Sequence, residues 1–173
     1  MKKNLFLTGV PSSGKTTVIK RVIRDLTFPA KGFYTEEERN ADRRVGFLMR
    51  TLDGRKGYLA HQDIKSDIHI RRFGVSIENI ETIAVPSLEP VDGDIIILDE
   101  IGKMECFSEV FKVAVQRALE ASNIVVGTVT LGGDDFIQGI KKRGDIEIYE
   151  VTLDNRDELP EIILKKIADL LGG

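Results

Sequence analysis

The stretch Gly9-Val10-Pro11-Ser12-Ser13-Gly14-Lys15-Thr16 constrains the fold of this chain more than any other. It fits G-x-x-x-x-G-K-[ST] at every defined position and follows the apolar run Leu5-Phe6-Leu7. Glycines at these places let backbone N–H groups approach phosphate oxygens with no Cβ in the way. The lysine is of a length to reach the β- and γ-phosphates, and the Thr16 hydroxyl is placed to hold Mg²⁺. The run before the loop reads as a buried strand, and Val18, Ile19, Val22, Ile23 and Leu26 after it recur at helical spacing. The loop would thus deliver a phosphate to a helix N-terminus, where the dipole and free N–H groups favour anions. Gly9 through Thr16, with Thr17 beside them, are the expected nucleotide-binding residues.

A second stretch, Asp94-Ile95-Ile96-Ile97-Leu98-Asp99-Glu100, has the consecutive β-favouring apolar residues of a strand buried on both faces. Its two carboxylates fall at the C-terminal end, where open α/β sheets place their ligands. Asp99 fits a carboxylate fixed near the Mg²⁺ held by Thr16, so Thr16 and Asp99 are the expected metal residues. Glu100, directly after it, stands where a residue orienting an attacking water belongs. Asp99-Glu100-Ile101-Gly102 also matches D-x-x-G, but the guanine-selecting N-K-x-D is absent and Asn155-Arg156-Asp157 is one residue too short. Asn155 and Arg156 are expected beside the nucleotide base, with no guanine preference implied. Capping of the last helix is an equally good reading of them.

The rest of the chain reads as strands and helices in alternation. Lys31 to Glu37 and Val45 to Thr51 have strand composition, and the charged stretch Glu36 to Arg44 between them reads as a solvated turn. Asp53-Gly54 signals a hairpin into Lys56-Gly57-Tyr58-Leu59-Ala60, giving an antiparallel flap over about 32–60 beside the phosphate site. Ser76 to Ile83 reads as a short helix with Ser76 capping and Asn79 at the third position. Phe107, Val110, Phe111, Ala114, Val115 and Ala118 make a helical stripe, Ile124 to Thr128 a buried strand, and Phe136 to Lys142 a short helix. Asp145 to Val151 alternates as a strand. An amphipathic helix follows from Leu159, with Pro160 tolerated in its first turn.

A length of 173 residues, with neither repeat nor linker, predicts one domain over 1–173. A net charge of −3 gives no clear nucleic-acid surface, and the single cysteine, Cys106, excludes an internal disulfide or a cysteine-rich zinc site. Without an apolar run long enough to span a bilayer, or a leader before the first strand, the expectation is a cytoplasmic monomer.

Transfer of a terminal phosphoryl group leaves the protein mainly positioning and charge stabilisation to do. Lys15 supplies part of that charge. A further cation would come from the segment after Gly132-Gly133, with Arg143 as the candidate and Lys142 and Lys141 as alternates. Thr128 or Thr130 could touch the γ-phosphate. The expected catalytic residues are therefore Lys15, Glu100 and Arg143.

Gly9 to Thr16, Gly32-Phe33-Tyr34-Thr35-Glu36-Glu37 with Gly46-Phe47, the run Leu98-Asp99-Glu100-Ile101-Gly102-Lys103-Met104-Glu105, and Asn155-Arg156-Asp157 occur in that order. Together they resemble the small P-loop nucleoside-triphosphatases first known from thermophiles and related to a human cancer-related nucleoside-triphosphatase. The resemblance spans nearly the whole chain, and D-E-I-G-K-M-E is its most specific part. It implies a three-layer α/β sandwich whose mostly parallel, RecA-like sheet carries an antiparallel hairpin insertion. In that sheet one strand separates the P-loop strand from the acidic strand. It also implies Mg²⁺-dependent hydrolysis of ATP, GTP and other nucleoside triphosphates, with nucleotide contacts from Gly9 to Thr16 and from Leu98, Asp99, Glu100, Ile101, Gly102, Lys103, Met104 and Glu105.

Two other functions fit the same motifs. A kinase differs only in what attacks the γ-phosphate, and the flap could build an acceptor pocket. A nucleotide-binding switch would need no water-orienting acid, which Glu100 supplies.

Overall fold

In the computed structural model, which describes residues 1–172, strands and helices alternate as the sequence predicts. The elements in order are β1 (Asn4–Thr8), α1 (Lys15–Asp25), β2 (Ala30–Asn40), β3 (Arg43–Thr51), β4 (Lys56–His61), β5 (His69–Ile70) and β6 (Phe73–Val75). Next come two short turns of α-helix, α2 (Ile77–Asn79) and α3 (Val85–Ser87), flanking a π-helical stretch Ile80–Ala84. Then follow β7 (Ile95–Ile101), α4 (Glu109–Glu120), β8 (Val125–Val129), α5 (Asp135–Lys141), β9 (Ile146–Glu150) and α6 (Leu159–Gly172). The strands form one nine-stranded sheet in the order β5-β6-β4-β3-β2-β7-β8-β1-β9.

From β2 to β9 every pairing in the sheet is parallel, and β8 lies between β1 and β7. Alternation along these strands sets the layers, because successive side chains point to opposite faces. Leu5, Leu7, Ile95 and Ile97 pack with Val18, Ile19 and Val22 of α1 and Ile163 and Ile167 of α6. Phe6, Ile96 and Leu98 pack on the other face with Phe111, Val115 and Ala118 of α4 and Ile137 and Ile140 of α5. Burial on both faces explains the unbroken apolar runs of β1 and β7. Parallel strands also put all their C-terminal ends on one side, so β1 and β7 present the phosphate loop and the acid pair together.

The hairpin insertion is present as a continuation of this sheet: β3 pairs antiparallel with β2, β4 with β3, and β6 with β4. Its strands are longer than composition suggests. The charged stretch expected as a turn is strand on both sides of Ala41-Asp42. Cross-strand charge pairing accounts for this, since Glu36 meets Arg50 at 2.7 Å and Glu37 pairs with Arg44. Gly32 marks where β2 meets the parallel core. Its φ is +113°, and a Cβ there would run into the Ile97 carbonyl.

Helix starts follow their local signals. Ser76 Oγ accepts from the Asn79 amide, Ser108 Oγ from Phe111, and an Asp134 carboxylate oxygen from Ile137. No helix among the described residues is long and apolar enough to cross a membrane.

Candidate active site

The loop between β1 and α1 is shaped by backbone geometry. Gly9 and Gly14 have φ of +154° and +107°, and a Cβ on Gly9 would lie 2.8 Å from both Ser13 Oγ and the Val151 carbonyl. The Ser13 amide donates to the Val10 carbonyl at 3.1 Å, closing the loop. Gly14 caps α1 with no side chain, and the first turn of the helix carries no acid, so its N–H groups and positive end are open to an anion. Lys15 Nζ rests on the Gly9 and Val10 carbonyls at 2.9 and 3.2 Å.

Asp99 is 1% exposed and is held by three neutral donors. Thr16 Oγ1 donates to Oδ2 at 2.9 Å, Thr128 Oγ1 to Oδ1 at 2.6 Å, and the Thr35 amide to Oδ2 at 3.4 Å. Burial raises its pKa, while the Thr128 and Thr16 hydrogen bonds and then the Lys15 charge work the other way. A buried carboxylate facing a hydroxyl is a pair of hard oxygen donors, and among the described residues no cationic side chain bonds Asp99 directly. That donor set suits Mg²⁺, which takes one or two protein oxygens and completes its shell with water and phosphate.

Glu100 lines the same cleft, a space of about 940 Å³ that also touches Gly9, Gly14, Lys15 and Thr16. Burial, then the neighbouring Asp99 charge, pushes its carboxyl up to about 7, against the pull of Lys15. Lys103, Met104, Glu105, Thr130 and Arg156 also line the cleft. The stem of Arg156 lies across Gly14, with Cδ 3.2 Å from where a Cβ would stand. Asn155 shapes the turn that presents it: Oδ1 accepts from the Thr152 amide and Nδ2 donates to the Glu150 carbonyl, each at 2.8 Å.

Three expected residues lie elsewhere. Leu98 and Ile101 are fully buried in the apolar core on the α4 side and do not line the cleft. Arg143 is at the far end of the sheet. It precedes β9, whose first residue pairs with Asn4 at the start of β1, while the phosphate loop follows the end of β1. Its guanidinium grips Asp145 through two hydrogen bonds of 2.9 and 2.8 Å. Lys141 Nζ is similarly committed, to the Leu131 carbonyl at 2.5 Å.

The insertion contributes cleft residues that composition did not single out, Glu36, Glu37, Arg44 and Phe47, and α1 adds Lys20. Arg44 pairs with Glu37 and lies 5.3 Å from the Phe47 ring centre. Glu36, Glu37 and Phe47 stand in the runs that carry the resemblance, which gave them no role at the site.

Residues 4–164 match the protein family described as NTPase. The chain is 41% identical over 162 residues to nucleoside-triphosphatase THEP1 of Thermotoga maritima, covering 92% of each. It is 34% identical over 182 residues to the cancer-related nucleoside-triphosphatase of Homo sapiens, covering 94% of this chain and 96% of that one. The crystal structure of THEP1 from Aquifex aeolicus superposes with a TM-score of 0.87 at 33% identity, over 95% of this chain and 98% of that one.

Proposed function

This chain belongs to the NTPase family and is a nucleoside-triphosphatase, and from that premise we propose that its hydrolysis is Mg²⁺-dependent, broad in base, and carried by Lys15, Thr16, Asp99 and Glu100. The observation that carries the reading is the 2.9 Å bond from Thr16 to Asp99, behind a cleft lined by Lys15, Thr16 and Glu100. Loop amides and the start of α1 bind the triphosphate. Lys15 exchanges the Gly9 and Val10 carbonyls for phosphate oxygens. Thr16 and Asp99 would hold the metal, which would supply positive charge to offset that of the triphosphate.

Glu100 orients a water in line with the γ-phosphorus and takes its proton. The water oxygen bonds to phosphorus, the bond to the β–γ bridging oxygen breaks, and nucleoside diphosphate leaves with that electron pair. Base tolerance follows from what surrounds Arg156. The Asn155 amide is spent on backbone partners, and a guanidinium stacks on any aromatic face.

Phosphate release from ATP, GTP, CTP and UTP, with Mg²⁺ and after chelation, tests this. All four should turn over, and activity should vanish with chelator and return with Mg²⁺. Activity that survives chelation would overturn the metal assignment, and activity confined to one base would overturn the breadth.

A further inference from the structure

We propose that Arg44 is a catalytic residue supplied by the hairpin insertion: when a triphosphate binds, its guanidinium leaves Glu37 and donates to γ-phosphate oxygens. This rests on the seat of the triphosphate between Lys15, Thr16 and Asp99 given above.

The cation expected from the segment after Gly132-Gly133 is not at the cleft, since Arg143 is bound to Asp145 at the other end of the sheet. Of the cations beyond Lys15 that line it, Lys20 is held by Glu36 at 2.6 Å, Arg156 lies across Gly14, and Lys103 follows Glu100 by three residues. Arg44 is the one that the insertion brings. The path of β2 gives it reach. The last pair of β2 with β7 is Phe33 with Leu98, and beyond it β2 runs on with β3 past the end of the parallel core. The Thr35 amide still meets Asp99 Oδ2 at 3.4 Å. Glu37 stands two residues further, about 7 Å along the strand, and pairs there with the Arg44 guanidinium. A γ-phosphate seated beside Asp99 is then within a side-chain rotation of Arg44.

The ion pair is built to exchange. One Glu37 carboxylate oxygen pairs with Arg44 and the other with Arg39 at 3.2 Å, so Glu37 keeps a partner when Arg44 turns away. Arg44 holds a donor in reserve: its Nε is buried and meets no acceptor among the described residues. Its backbone is anchored, because the Arg44 carbonyl accepts from the Arg72 guanidinium. A planar fork with unused N–H groups suits a phosphate, which it takes in two parallel bonds. In transfer to water the bonds that form and break are those written above. Arg44 moves no proton, and its charge offsets that of the γ-phosphate oxygens.

The test measures single-turnover hydrolysis of ATP, and affinity for ADP, in Arg44→Gln, Arg44→Lys, Glu37→Gln and the Glu37→Gln/Arg44→Gln double variant. Arg44→Gln should be slower by about 10²- to 10³-fold, the scale of one lost donor to developing charge. Its affinity for ADP, which has no γ-phosphate, should match the parent. Arg44→Lys keeps the charge without the fork and should recover part of that loss. Glu37→Gln removes the carboxylate that competes with phosphate, so it should hydrolyse at least as fast as the parent. The double variant should be as slow as Arg44→Gln alone. If Arg44→Gln does not fold, Arg44→Lys, slower than the parent, and Glu37→Gln carry the test.

A parent-like rate in Arg44→Gln would overturn the proposal. So would equal slowing in Glu37→Gln, the mark of an ion pair that only holds the hairpin, or a loss of ADP affinity as large as the loss of rate. Failure of the underlying site shows separately, as hydrolysis by the parent that survives chelation or a parent-like rate in Glu100→Gln.

Discussion

Thr16 Oγ1 donates to Asp99 Oδ2 at 2.9 Å, joining residues 83 positions apart in the chain. The contact spans a strand. β8 lies between β1 and β7, and its Thr128 completes the clasp from the middle with a 2.6 Å bond to the other Asp99 oxygen. A carboxylate buried in this way keeps its place only while its acceptors are satisfied.

Thr128→Val keeps the shape of the core and removes one of those donors. The Asp99 oxygen left without a partner should cost about 1–3 kcal/mol of stability, the penalty of an unsatisfied buried acceptor. Urea denaturation measures it. An unchanged midpoint would mean that Thr128 does not hold Asp99.

Arg143→Ala should leave single-turnover hydrolysis at the parent rate, because the guanidinium is bound to Asp145 at the end of the sheet away from the phosphate loop. Its effect is on stability. The hydrogen bond and charge of Arg143 lower the Asp145 pKa, so the pair contributes above the ordinary carboxylate range and loses that contribution as pH falls through the lowered value. Both partners are partly exposed, so the loss at neutral pH should be about 0.5–1 kcal/mol. The gap between parent and variant should close on acidification. Denaturation at several pH values reads it directly.

Gly32→Ala should be far more costly than an exposed glycine change. The φ of +113° is strained for any side chain, and the new Cβ would meet the Ile97 carbonyl of the neighbouring strand. A loss of at least about 2 kcal/mol is expected from combining backbone strain with a clash in the sheet. Gly54→Ala, at a hairpin turn with φ +93° and open space around it, should cost less because only the strain remains.

Much of this architecture can be read from residue order alone. The phosphate loop is a local motif, and the runs Leu5-Phe6-Leu7 and Ile95-Ile96-Ile97-Leu98 state their own burial on two faces. The parallel core, three layers and intervening β8 agree with what the resemblance implied. The β2–β3 wall of the cleft was less legible, because charged residues there are held in strands by partners across the sheet, such as Arg50 for Glu36. Glu105 is in the motif, but its burial depends on the 3₁₀ turn Glu105–Phe107 that it opens.

Arg143 lies away from the phosphate loop for a topological reason. A residue just before a strand parallel to β1 must lie at the end opposite the phosphate loop. Leu98 and Ile101, contacts implied by the resemblance, both turn into the core on the α4 side: Leu98 by alternation along β7, and Ile101 because the register shifts between Leu98 and Ile101.

The central claim is that Glu100 activates water against a triphosphate held by Lys15, Thr16 and Asp99. Single-turnover phosphate release by Glu100→Gln, with binding of a non-hydrolysable ATP analogue measured on the same protein, tests it most directly. The account predicts parent-like binding and a rate lower by about 10²–10⁴, the contribution of a general base. A variant that binds the analogue and releases phosphate as fast as the parent would contradict it.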